Sequence, residues 1–87
     1  MSITIELTYD LSKVLGSRQL QLEGAATVAD AVRLTRERFA GRVEAFDKLT
    51  RVVNLAVNGV LINHARDQQT PLKDGDRLTF LMAAAGG

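Results

Sequence analysis

Two stretches of strict alternation stand at opposite ends of this chain and constrain everything between them. Near the start, "SITIELTY" puts Ile3, Ile5, Leu7 and Tyr9 on one side and Ser2, Thr4, Glu6 and Thr8 on the other. Near the end, "RLTFLM" puts Leu78, Phe80 and Met82 toward a core and Thr79 and Leu81 away from it. Period-two patterning predicts strands buried on one face. Such strands need an apolar layer against that face.

The middle of the chain supplies the layer. "RQLQLE" is a further strand with Leu20 and Leu22 inward, and "DLSKVLGS" reads as a connection ending at Gly16, so the first two strands are expected to form a hairpin. "TVADAVRLTRERF" changes period. At 100° per residue Val28, Ala31, Val32, Thr35 and Phe39 share one arc, with Arg33, Arg36 and Glu37 opposite. Thr27 can cap this helix, Asp30 suits the positive end of its dipole, and Gly41 marks its end. "RVEAFDKLTR" stays ambiguous; a short second helix would turn Val43, Phe46 and Leu49 to the core. "VVNLAVNG" alternates again, with Val53, Leu55 and Val57 against Asn54, Ala56 and Asn58. Asn58-Gly59 is a tight-turn signal, "VLIN" a short strand, and "HARDQQTPLKDGD" a polar loop with a turn at Asp74-Gly75-Asp76.

The order is strand, strand, helix, strand, short strand, strand. It predicts an α+β fold of the β-grasp, ubiquitin-like type: a mixed sheet of four to five strands, one main helix on one face, and the first and last strands parallel in the middle. The β-grasp domain is expected over residues 1–82, with a flexible C-terminal Gly-Gly tail over 83–87.

Composition narrows the function. Eighty-seven residues make one domain, and a chain this short has little room for an internal catalytic cleft. There is no cysteine, hence no thiol nucleophile or thiolate ligand, and the single histidine rules out a multi-histidine metal cluster. His64 reads as a solvated loop residue. Asp74 and Asp76 read as turn residues, not as paired catalytic carboxylates. Eleven Lys and Arg against ten Asp and Glu exert no strong pull toward nucleic acid or membrane. Arg33, Arg36, Arg38 and Arg42 crowd one segment, but acidic neighbours dilute them and no aromatic residues interleave. No GxxxxGK[ST] or GxGxxG loop occurs, so any ATP chemistry belongs to another protein. The start lacks the basic and apolar regions of a secretory signal, and no apolar run approaches the roughly 20 residues that span a bilayer. A soluble cytoplasmic protein is expected.

The quoted end, "LMAAAGG", is the feature without a structural purpose. Ala83, Ala84, Ala85, Gly86 and Gly87 have almost nothing to bury. Alanine and glycine give the thinnest peptide cross-section, suited to a narrow channel, and a terminal glycine carboxylate has no Cβ to hinder a bulky electrophile. Leu81, on the solvent side of a central strand, is a candidate docking residue.

These pieces, "G..TVAD" before the helix, "VNLAVNG", "TPLKDGDRLTF" and the terminal Gly-Gly, resemble the MoaD/ThiS family of ubiquitin-like sulfur carriers over the whole chain. The tail departs from the commoner family ending, in which a proline often precedes Val-Ala-Gly-Gly. The resemblance implies that Gly87 is converted by a partner adenylating enzyme to an acyl adenylate and then, by a sulfur donor such as a persulfide, to a thiocarboxylate. It implies that Ala83, Ala84, Ala85 and Gly86 line the partner's channel and that Leu81 docks the partner. The chain would bind no cofactor or metal itself; ATP would be used by the adenylating enzyme. The commonest family role is the small subunit of molybdopterin synthase, which donates sulfur for the molybdenum cofactor to a large synthase subunit. On that reading the chain is no stand-alone enzyme but the sulfur-donating subunit of a complex. Carriers for cysteine or thiamine biosynthesis, a modifier joined to lysines, and a ubiquitin-like interaction module without terminal chemistry are the alternatives.

Overall fold

The computed structural model describes residues 1–63 and 66–82. Its elements are β1 (Ser2–Glu6), α1 (Tyr9–Leu15), β2 (Gln19–Glu23), α2 (Val28–Glu37), α3 (Val43–Thr50), β3 (Val53–Val57), β4 (Val60–Ile62) and β5 (Arg77–Met82). The strands form one mixed sheet in the order β2-β1-β5-β3-β4. β1 and β5 run parallel at its centre, with Ile5 opposite Leu78. This is the β-grasp arrangement, with three helices in place of one main helix.

The connection between the first two strands is the largest departure from the sequence reading. It is a helix, α1, not a simple hairpin loop. Thr8 Oγ1 accepts a hydrogen bond from Leu11 N at 3.1 Å and so caps it. Gly16 closes it in the left-handed conformation at φ 89°, its N–H donating to Ser12 O. The period-two pattern therefore ends at Leu7, which is buried. Tyr9, expected to face the core, lies exposed in the first turn of α1 with the Lys13 ammonium 5.3 Å from its ring centre. Leu11 replaces it as the buried residue.

α2 follows the predicted arc. Val28, Ala31, Thr35 and Phe39 are buried and Val32 is half-buried. Thr27 Oγ1 accepts from Asp30 N at 3.2 Å, and Asp30 Oδ2 accepts from Ala26 N at 3.1 Å. The carbonyls of Thr70 and Gln68 take the N–H groups of Val28 and Ala29. The first-turn amides that a helix leaves unpaired are thus satisfied within the fold. Thr35, though polar, sits in the core because its hydroxyl donates to Ala31 O at 2.7 Å.

α3 resolves the ambiguous segment as a helix. Phe46 is buried, Val43 and Leu49 half-buried. Gly41, at φ 84°, turns the chain between the two helices. Phe39, Phe46 and Phe80 then form an aromatic line from the end of α2 through α3 to β5, with ring centres 4.9 and 6.2 Å apart.

Candidate functional site

Strand parity sorts the sheet's two faces. Ile3, Ile5, Leu22, Leu55, Leu78 and Phe80 point toward the helices and join the core. Their alternates form an open face, and that face has two halves of different chemistry.

The half over β2 and β1 is polar and internally bonded. Gln21 Nε2 donates to Thr4 Oγ1 at 2.9 Å. Glu6 gathers three partners: Gln19 Nε2 at 3.1 Å, Thr79 Oγ1 at 3.1 Å, and the Arg77 guanidinium at 3.5 Å. Its carboxylate ties both neighbouring strands to β1.

The half over β5, β3 and β4 is mixed, with Ala56, Leu61 and Leu81 set among Asn54 and Thr79. In register, Ala56 faces Leu61 on one side and Thr79 on the other, and Asn54 faces Leu81. Leu61 is 63% exposed and Leu81 38%, while Ala56 between them is 3% exposed. Ala56 alternates with Leu55 and Val57, as the sequence pattern has it. It has the open-face parity but its small side chain sinks between those of the flanking strands. The result is a shallow step at Ala56, with Leu61 directly across on β4 and Leu81 on β5 one pair further along, opposite Asn54. Leu81 is therefore part of a patch, not a single exposed leucine. Leu61 was missed from sequence because three residues of strand carry no readable period; the Asn58-Gly59 turn, which fixes Val57 opposite Val60, was the signal that places it.

β5 carries Leu81 to the edge of the tail. Met82, expected in the core, is 55% exposed. It has the helix-side parity of Phe80 and pairs with the buried Val53, but it is the strand's last residue. Ala83, Ala84, Ala85, Gly86 and Gly87 lie outside the described residues, as does His64.

The remaining singled-out groups are structural. Asp74 Oδ1 accepts from Ser2 N at 2.8 Å. Asp76 accepts from Asn58 Nδ2 at 3.0 Å and from Lys73 N at 2.8 Å. Those bonds, the Asn58 amide's first, hold its carboxyl below the ordinary 3.8. The four arginines are engaged within the chain: Arg33 with Glu37 and Asp30, Arg36 in a two-bond fork to Asp47, Arg38 to Gln21 O and Arg42 to Val14 O. Among the described residues no group of three or more His, Asp or Glu could hold a metal ion, and no helix is long and apolar enough to cross a membrane.

A five-stranded β-grasp with its first and last strands parallel at the centre defines a ubiquitin-like protein. The chain belongs to the ThiS family, which it matches over residues 5–87. It is similar to a chain of the Amycolatopsis orientalis BexX/CysO complex, with 28% identity and a TM-score of 0.75 over 98% of this chain and 99% of that one. It is similar to SAMP1 from Haloferax volcanii, a small archaeal modifier protein, with 25% identity and a TM-score of 0.68 over the whole of both chains (100% each). A chain from the complex of subunits 1 and 2 of molybdopterin-converting factor from Helicobacter pylori 26695 shares the fold, at 22% identity and a TM-score of 0.69 over 100% of each chain. These neighbours carry different roles on one fold, so the expected restriction to molybdopterin is not resolved by them.

Proposed function

We propose that this chain is a sulfur carrier whose C-terminal Gly87 is adenylated by a partner enzyme and converted to a thiocarboxylate. The observation that supports this most directly is the step at Ala56 flanked by the exposed Leu61 and Leu81, with Leu81 on β5, the strand that continues into an Ala-Gly arm. A partner docked on that step meets the arm at its root.

The chemistry assigns little to the chain itself. The Gly87 carboxylate attacks the α-phosphorus of ATP held by the partner, and pyrophosphate leaves. A persulfide sulfur attacks the acyl carbon, AMP departs with the C–O bonding electrons, and a thiol then splits the S–S bond to free the thiocarboxylate. Gly86 and the three alanines pass through the partner's channel. ATP belongs to the adenylating enzyme, and this chain contributes the acyl group and the docking surface.

The acceptor we favour is a molybdopterin precursor, with the chain as the sulfur-donating subunit beside a large synthase subunit. A second reading rests on the likeness to the BexX/CysO complex, which favours a carrier serving another acceptor. The likeness to SAMP1 favours a modifier joined to lysines by the same activated terminus.

Intact mass after incubation with ATP, an adenylating enzyme and a persulfide donor tests the class. An oxygen-to-sulfur increment on the terminal residue is expected, lost on deleting Gly87 or adding one residue after it. Absence of the increment in the unaltered chain overturns the carrier in favour of a binding-only module. Supplying the sulfurated protein to candidate acceptor enzymes distinguishes the pathways.

A further inference from the structure

The open face accounts for Leu81 but not for a second apolar side chain at the same end of the sheet. Met82 is 55% exposed. It pairs with Val53 and stands where β5 gives way to the tail. Leu81 and Met82 are consecutive strand residues and so project from opposite faces. The last strand pair therefore ends in exposed apolar side chains on both faces of the sheet.

We infer that Met82 forms a second contact for the enzyme that activates the C-terminus, opposite the Leu81 contact, so that the mouth of its channel grips the tail root from both sides. This rests on the carrier reading above. The occupant follows from reach. Five residues beyond Met82 span at most about 18 Å when extended. An enzyme whose catalytic centre reaches Gly87 must bring the rim of its channel against the root of the arm. An arm of alanine and glycine offers almost no side-chain surface for affinity. The nearest side chains able to supply it are Leu81 on one face and Met82 at the end of the other. β5 remains paired through Met82, so that residue is presented from the sheet and not from the arm. The predicted partner chemistry is an apolar collar at the channel entrance, without a charged residue facing Met82.

The test is the steady-state rate of pyrophosphate release by the adenylating enzyme, with ATP, as a function of carrier concentration. Met82→Ser is expected to raise KM about tenfold or more at nearly unchanged kcat. Met82→Leu, which keeps the apolar contact, is expected to retain the original KM. Thermal unfolding of each variant checks that the fold is intact, and Met82→Gln serves if Met82→Ser unfolds. An unchanged KM in the folded polar variants, with the unaltered chain still activated, overturns the two-sided grip and leaves the carrier intact. No pyrophosphate release from the unaltered chain overturns the carrier and this contact together. A fall in kcat at constant KM also overturns it, because that places Met82 in positioning the arm and not in docking.

Discussion

Phe39 and Phe46 meet with ring centres 4.9 Å apart, joining the end of α2 to the middle of α3. Both are buried, and Phe46 also meets Phe80 of β5 edge-on. One ring thus holds a helix that lacks a side-chain N-cap of its own. Phe46→Ala is expected to cost about 3–5 kcal/mol, the loss from a buried aromatic plus the cavity it leaves. Urea unfolding would show it as a large fall in midpoint, with α3 the first element to lose amide protection.

At the N-terminus of α2 the bond from Asp30 N to Thr27 Oγ1 predicts a smaller effect. Thr27→Ala is expected to destabilise by about 1 kcal/mol. The amide of Asp30 should then exchange faster than those of Val28 and Ala29, whose carbonyl partners remain.

The turn between β3 and β4 holds Asn58 and Gly59 at φ 51° and 84°. Nothing lies within 4 Å of where a Cβ on Gly59 would stand, so space is not the constraint there. The backbone is. Gly59→Ala is expected to cost about 1–2 kcal/mol from left-handed strain alone, read from equilibrium unfolding.

Stability should also follow pH on the acid side. Asp30, Asp47 and Asp76 each titrate below the ordinary 3.8, held down chiefly by the Ala26 N–H, the Arg36 fork and the Asn58 amide respectively. The unfolded carboxyls take protons first as pH falls, so the contribution is whole above 3.8 and lost progressively below it. Denaturant midpoints are expected to be flat down to about pH 5 and to fall steeply below about pH 4. Asp76→Ala should lower the neutral plateau and shallow that fall.

On the open face, Leu61→Arg is expected to leave stability within about 0.5 kcal/mol, since its side chain is largely in solvent. Binding to the adenylating enzyme should weaken about tenfold or more, because a charge would be buried against an apolar partner. Calorimetric titration of the two proteins measures both arms. Unaltered affinity removes the docking role from Leu61.

How far the sequence carried the fold depended on how many turns of pattern each element contained. The order of elements and the arc of α2 were legible because both repeat often enough to define a period. α1 was not, although Leu11, Val14 and Leu15 have helical spacing and Thr8 and Gly16 are its caps. Tyr9 extended the preceding alternation by one step and hid the cap. Met82 failed differently. Alternation assigns a side chain to a face but does not say where the layer covering that face stops. Leu61 needed the register of a three-residue strand, which only the turn before it determines. Leu81 was found because β5 is long enough to set its parity, and its neighbours were not, because they come from other strands.

The parallel pair at the centre of the sheet has a consequence for how the chain comes into being. β5 is the last strand in sequence and the middle one in space, hydrogen-bonded to β1 on one side and β3 on the other. A chain interrupted between β4 and Arg77 holds two strand pairs with nothing between them and a core missing Leu78 and Phe80. Such fragments have no closed sheet to protect them and are open to proteolysis. The fold therefore works as a completeness check: a chain becomes protease-resistant only once the strand that bears its terminal arm has been made.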